Sequence, residues 1–285
     1  MKQVIFLRLL NYFNMNKELS ILVLSCDKYC DIWDNFFNLK EIYWPDCPFE
    51  TYLVTESVGY DREGVCVINA GFGNWSSRYR YAVNQIKTPY IVPFLDDFFI
   101  SETIDTNRFF SILKYVDDNH IDFINMDDGF ENILGRKDLE ILDSYYAIIP
   151  HHLSYGVDTA ASIWRKEYLL HMLGDGDYSA WQFELDRCNE AKSPEGIAGK
   201  IYIDLRQSLN VSKIPVVIQG KYYPLALRYF KKKGYTISTG ERKIMSWFEV
   251  FIYYLKRKGS GLKHGRKFLK YLASKFLGMS FVTKD

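Results

Sequence analysis

Short apolar runs that end in polar turns alternate, along the first 220 residues, with segments whose apolar positions recur at helical spacing. Leu19-Ser20-Ile21-Leu22-Val23-Leu24-Ser25 predicts a buried strand, and Ile32, Trp33, Phe36, Phe37 and Leu39 then share one helical face. Residues 50–55 and 65–68 predict two more strands. Strand, helix, strand with short links is the signature of a βαβ unit, and hence of an α/β fold with a mostly parallel central sheet.

The glycines of Gly71-Phe72-Gly73-Asn74-Trp75-Ser76-Ser77-Arg78 release the chain into a turn. Asn74 or Ser76 fits the cap of a helix whose inner face is Tyr79, Ala82, Val83 and Ile86, and Pro89 ends it. Tyr90-Ile91-Val92-Pro93-Phe94-Leu95 then predicts the central strand, closed by Asp96-Asp97 and followed by Phe98-Phe99-Ile100. Asp105 is placed to cap a helix through Asn119, and residues 121–126 predict a strand running into the turn Asp127-Asp128-Gly129. Residues 145–149 are strand-like. Trp164 to Leu173 predicts a helix stopped by Gly174, and Ser179 fits the cap of the next, from Ala180. Strand-like segments at 202–209 and 211–219 precede a helix that starts at Pro224 and closes on Lys231-Lys232-Lys233-Gly234.

From Ile244 onward the pattern changes. Trp247, Phe248, Phe251, Ile252 and Leu255 predict one amphipathic helix, and Phe268, Leu269, Tyr271, Leu272 and Phe276 a second. The formal net charge of +1 hides an asymmetry: about 16 Lys/Arg face about 3 Asp/Glu from Lys221 onward, leaving residues 1–220 acidic by about 12. Two readings of this basic, aromatic tail stand: an anchor on an anionic membrane surface, or packing against the body or a partner subunit of a homo-oligomer. An acidic body argues against nucleic acid.

With 285 residues, 48% hydrophobic and 25% charged, the rest of the composition is that of an ordinary globular protein, except that aromatics are high at 17%, with 22 Tyr and 20 Phe. The five cysteines, at 26, 30, 47, 66 and 188, make no even framework and read as buried core thiols in a reducing compartment. No run approaches the ~18 consecutive apolar residues of a membrane span. The apolar start is broken by Arg8 without a cleavage signal behind it, so a cytoplasmic protein is expected.

Asp96 and Asp97 carry the chemistry. Two carboxylates at the end of a buried strand are costly unless compensated, and a divalent cation compensates carboxylates well. A polar turn is the plainer reading of the same residues. Trp75 and Arg78 fall at a helix N-terminus, where anions are favoured, and Arg offers a fork to phosphate. His151 and His152 are adjacent and would point to opposite sides of a strand. Asp177 and Glu184 flank another helix start beside aromatic residues, a workable place for a general base or simply an acidic first turn.

Taken in order, Ser25-Cys26-Asp27-Lys28-Tyr29, Asn74-Trp75-Ser76-Ser77-Arg78, Phe94-Leu95-Asp96-Asp97-Phe98-Phe99, Ser162-Ile163-Trp164-Arg165-Lys166-Glu167 and Ser179-Ala180-Trp181-Gln182-Phe183-Glu184 form a set. Over roughly residues 19–230 this set resembles bacterial GT-A-fold glycosyltransferases of capsule and lipopolysaccharide (O-antigen) biosynthesis. The resemblance implies a Rossmann-like, GT-A-like sheet flanked by helices, and a nucleotide-sugar donor such as a UDP-sugar. It also implies a Mn2+ or Mg2+ ion and a transfer, inverting or else retaining, to a lipid-linked or polysaccharide acceptor at the inner face of the cytoplasmic membrane. Asp96 and Asp97 would match the metal-binding acidic motif, although they are adjacent where that motif spaces its acids by one residue. Ser25, Asp27, Tyr29, Trp75, Arg78 and Asp96 would meet the donor, and Asp177 or Glu184 would be the base. The implied layout is an extension at 1–18, a nucleotide-sugar-binding half at 19–125, an acceptor-binding half at 126–240 and a basic helical tail at 241–285. A nucleotidyltransferase on a similar sheet and a non-catalytic membrane-associated protein are the alternatives.

Overall fold

The computed structural model describes residues 17–126, 138–159, 161–209, 211–212 and 214–259. The Asp127-Asp128-Gly129 turn, the second tail helix and most of the N-terminal extension lie outside the described residues. The chain divides after Pro215 into two compact units.

The first unit is built on a nine-stranded sheet in the order β3-β2-β1-β4-β8-β5-β9-β7-β6. The strands are β1 (Leu19–Leu24), β2 (Glu50–Thr55), β3 (Val65–Asn69), β4 (Tyr90–Leu95), β5 (Phe123–Asn125), β6 (Glu140–Ile141), β7 (Tyr146–Ile148), β8 (Ser162–Arg165) and β9 (Ile201–Asp204). The pairings of β1 with β2 and β4, of β2 with β3 and of β5 with β9 are parallel, whereas β8 and β7 are antiparallel to their neighbours. Seven of the nine strands therefore share one direction, and the sheet is mostly parallel as the βαβ pattern predicts.

Helices cover both faces, which is why β1 is buried at all six positions. α1 (Cys30–Tyr43) and α3 (Thr106–Asp118) pack on one side, joined by Trp44 against Phe109 with ring centroids 5.0 Å apart. α2 (Trp75–Gln85) and α4 (Lys166–Leu173) cover the other, where Tyr79, Ala82, Val83 and Ile86 meet Leu22, Leu24 and Ile91. α5 (Ala180–Glu190) follows and adds Phe183 to that core. Of the predicted caps, Asp105 and Ser179 accept from the amides of Arg108 and Gln182. The Asn74 side chain caps nothing, and the Ser76 hydroxyl is used elsewhere.

Pro93 inside β4 removes no ladder bond. Tyr90 donates to Glu18 and Asp96 to Leu24, so the even-numbered amides of β4 face β1 and the odd ones face β8. β8 pairs with β4 only at Tyr90 and Ile91, so Pro93 lies beyond the paired part of that ladder.

Two predictions need correction here. The helix expected from Trp164 begins at Lys166, because Ser162–Arg165 is strand β8, wedged between β4 and β5. A short apolar run does not distinguish the two by periodicity, and burial of Trp164 against Phe123, centroids 4.5 Å apart, decides for the strand. Of the five thiols, which are all free, only Cys188 is buried; Cys30 and Cys66 are exposed.

In the second unit, β10 (Val217–Ile218) and β11 (Lys221–Tyr222) form a hairpin, followed by α6 (Pro224–Lys232) and α7 (Trp247–Gly259). Its small core joins Ile218, Met245 and Val250, with Tyr223 and Tyr253 against them. The face predicted for α7 is therefore not the one it buries: Val250 and Tyr253 point in, while Trp247, Phe248 and Phe251 are exposed. No helix among the described residues is long and apolar enough to cross a membrane.

Candidate functional site

The chain leaves β1 for β2 and β3 on one side, then returns through α2 to β4 on the other side of β1. The boundary between β1 and β4 is thus the switch point of the sheet, and ligands of open α/β sheets bind at the carboxyl ends of the strands there. Ser25 follows β1 directly and Asp96 follows β4 directly.

These two residues are bonded. The Trp33 indole of α1 donates to Ser25 Oγ at 2.6 Å, and Ser25 Oγ donates to Asp96 Oδ2. An indole N–H can only donate, so Ser25 is left with its own proton to give, and Asp96 receives it as an acceptor. Asp96 is buried, and Asp97 is partly so. The Phe98 amide donates to the Leu95 carbonyl at 3.1 Å, which makes Asp96 and Asp97 the two corners of a turn. Burial pushes the Asp97 carboxyl up to about 6, against a weaker downward pull from its own amide.

Arg78, one turn into α2, donates from Nη1 to the Ser25 carbonyl at 2.6 Å. Its buried Nε and the buried Nε1 of Trp75 have no hydrogen-bond partner among the described residues. The Trp75 ring packs on Tyr79, Tyr178 and Phe183 and lines a small cavity with Leu24, Pro93, Asp158 and Thr159. The first turn of α2 is partly filled: the Ser76 amide donates to the Tyr178 carbonyl at 3.1 Å. Ser76 Oγ donates to the Gly176 carbonyl and accepts from the Tyr178 amide.

Asp27 and Tyr29 lie in the short 3-10 turn Asp27–Tyr29 after β1. The Asp27 carboxylate accepts from the amides of Glu56, Ser57 and Val58 and from the Ser57 hydroxyl at 2.7 Å. Desolvation pushes its pKa up, but these donors outweigh it and hold the group down at about 2. Asp27 thus ties the loop after β1 to the loop after β2, and its own amide reaches back to Glu56 at 3.1 Å.

The two candidate bases separate. Asp177 is largely exposed and pairs with Arg80 at 3.4 Å, in a loop that Arg80 also holds through the Gly176 and Asp175 carbonyls. Glu184 is half-buried and accepts from Thr159 Oγ1 at 2.7 Å, next to the cavity lined by Trp75. Trp181, in the same helix, is 68% exposed. His151 and His152 are both exposed.

Asp158 is the residue that periodicity alone does not single out. It is 7% exposed and arrives at the switch point because β8 runs antiparallel to β4, so the segment before β8 ends beside the end of β4. Reading Ser162–Arg165 as a strand is the signal that would have found it.

No protein-family model matches the chain, and no curated protein does. Among solved structures the chain is similar to a cytidylyltransferase from Leptospira borgpetersenii serovar Hardjo-bovis, with 14% identity over 85% of this chain and 95% of that one and a TM-score of 0.43. It is similar to S. aureus TarS, with 13% identity over 72% of this chain and 36% of that one and a TM-score of 0.39. The third is the bifunctional IspDF from Campylobacter jejuni, with 11% identity over 65% of this chain and 49% of that one and a TM-score of 0.36. The chain spans about half the length of IspDF and about a third of TarS.

Proposed function

We propose that this chain is a glycosyltransferase of the GT-A kind, moving a sugar from a nucleoside-diphosphate donor to a lipid-linked or polysaccharide acceptor with inversion. The observation that carries the reading is the company of the Ser25–Asp96 pair at the sheet's switch point: the buried Nε of Arg78 and Nε1 of Trp75 are donors without partners among the described residues. Unsatisfied buried donors are rare and costly, and an anionic, hydroxyl-rich donor would satisfy them.

A divalent cation fits the acidic corner. Among the described residues no group of three or more His, Cys, Asp or Glu could hold a metal alone. Mg2+, however, is commonly bound by one or two carboxylates with substrate phosphates completing its shell, and Asp96 with Asp97 supplies that number. Burial disfavours the Asp97 charge, and a bound cation would offset that cost. When bound, such an ion supplies Lewis-acid stabilisation of a departing diphosphate.

The remaining work falls to protein groups. Arg78 orients the diphosphate, and the Trp75 ring with Asp158 and Thr159 walls the sugar. The acceptor oxygen bonds to the anomeric carbon as the bond from that carbon to the diphosphate breaks, and the acceptor proton passes to Glu184. Glu184 is the better base than Asp177, because Asp177 is committed to Arg80 and faces solvent.

The test is a panel of nucleotide sugars with Mn2+ or Mg2+, read by thermal protection and by release of nucleoside diphosphate. One donor should raise the melting temperature and turn over. Protection by nucleoside triphosphates with release of pyrophosphate would instead establish nucleotidyl transfer, and no response to any nucleotide would leave a non-catalytic protein.

A further inference from the structure

We propose that the second unit docks on an anionic lipid bilayer through an aromatic ridge formed by α6 and α7, an inference that does not depend on the transfer reading. α7 places Trp247, Phe248, Phe251 and Tyr254 on one outward arc, with exposures of 49%, 61%, 56% and 49%. Ile244, just before the helix, and Leu225 on α6 are exposed as well. A water-facing row of this size is not left over from core packing, since the same helix turns Val250 and Tyr253 inward to its own small core. An exposed apolar helix face of this kind marks an interaction site.

Charge selects the occupant. Residues 216–259 contain ten Lys/Arg and two Asp/Glu, and one of those acids, Glu249, is paired with Lys221. The Arg228 guanidinium sits over the Trp247 ring, 4.4 Å from its centroid, so a cation is held at the edge of the ridge itself. Trp and Tyr with surrounding cations suit the headgroup region, where the rings insert at the acyl boundary and Lys/Arg meet anionic headgroups. A protein partner would need a matching acidic, apolar face. A second copy of the same ridge would set cation against cation.

The experiment uses the full chain with phosphatidylserine-rich and pure phosphatidylcholine vesicles. The native chain should sediment with the first, less with the second, and release as salt rises. Phe248→Ser with Phe251→Ser should weaken sedimentation by about tenfold or more. Both side chains are more than half exposed, so the melting temperature should hold. A second readout guards against a misfolded variant: in the native chain, brominated lipids should quench a fluorescence component that Trp247→Phe removes. Failure of the native chain to sediment, sedimentation equal in the variant, or an unquenched Trp247 would each overturn the proposal. So would a native dimer that the double variant turns into a monomer, because a second copy would then be what covers the ridge.

Discussion

Ser25 stands between Trp33 and Asp96 in a one-way chain of hydrogen bonds, accepting from the indole N–H at 2.6 Å and donating from its own hydroxyl to the carboxylate. These bonds join β1, α1 and the end of β4, three parts of the chain that no local signal links. Ser25→Ala removes both bonds at once and leaves the Trp33 N–H and an Asp96 oxygen buried without that partner. Each such loss costs about 1–3 kcal/mol. Urea unfolding should show a drop in that range or somewhat above it. In a double-mutant cycle with Asp96→Asn the two effects should fail to add, as expected for residues in one network. Additivity within error would mean the bond carries no coupling.

The acidic corner predicts a metal dependence. Chelation should stop release of nucleoside diphosphate, and Mn2+ or Mg2+ should restore it. Asp96→Ala should remove the response to metal altogether. Asp97→Asn should leave the fold intact, since its ordinary carboxylate form is already disfavoured by burial. Turnover in chelator equal to turnover in metal would remove the cation from the reading.

Glu184 and Asp177 make opposite predictions. Glu184→Gln keeps the bond to Thr159 in reach but removes the proton acceptor, so kcat should fall by about 10²–10⁴-fold with donor binding unchanged. Asp177→Asn should cost far less in kcat, because its bond to Arg80 is long, partly exposed and backed by two carbonyl contacts to the same arginine. Measuring both by steady-state kinetics on one donor decides the assignment. A larger loss in the Asp177 variant would reverse it.

Asp27 gives a pH prediction of definite sign. Its folded pKa of about 2 lies below the ordinary value of 3.8, so the stabilisation is fully present above about 4. It is lost as the pH falls toward 2, when the carboxylate takes a proton and releases its amides. Hydrogen exchange at the Glu56, Ser57 and Val58 amides should therefore speed up, relative to the intrinsic rate, across that window. Asp27→Asn should show the fast behaviour already at neutral pH. If these amides stay equally protected in the variant, the carboxylate is not what latches the two loops.

Much of the first unit was legible in the sequence because its periodicities are long and its punctuation is clear. β1, α1, β2, β3, α2, β4 and α3 all follow from apolar runs, glycine turns, Pro89 and the Asp105 cap. The acidic pair could be placed at a strand end for the same reason. What stayed hidden depends on partners far away in sequence. Ser162–Arg165 is too short for its period to separate strand from helix, and Asp158 just before it was given no role. Trp33 looks like one more apolar position of a helix until its indole is seen on Ser25. Asp27 was expected to meet a nucleotide from the resemblance alone, yet its oxygens are filled by three amides and a hydroxyl some 30 residues on. In α7 the amphipathic pattern was visible but its inward side was not, because only the packing of Val250 and Tyr253 shows which way the helix turns.

The far half of the sheet rests on a buried charge that the same logic makes testable. The Asp204 side chain is fully buried at the end of β9 and is met by Arg206 Nε at 2.6 Å. The Arg206 guanidinium also donates to the Tyr146 hydroxyl at 2.9 Å and lies over the Tyr145 and Tyr146 rings, at 4.6 and 4.9 Å. Desolvation works against the Arg206 charge, but its bond to Asp204 outweighs it and raises the pKa. Arg206→Met would keep much of the stacking surface and leave Asp204 as a buried charge without its cation. Breaking a buried pair from one side costs about 3–5 kcal/mol. Asp204→Asn combined with Arg206→Met removes both charges, and it should be less harmful than Arg206→Met alone. Urea unfolding of the two variants checks the order. If the single variant proves the more stable of the two, the pair does not hold this end of the sheet, and the aromatic stack of Tyr115 on Tyr146, 3.8 Å apart, would have to do so.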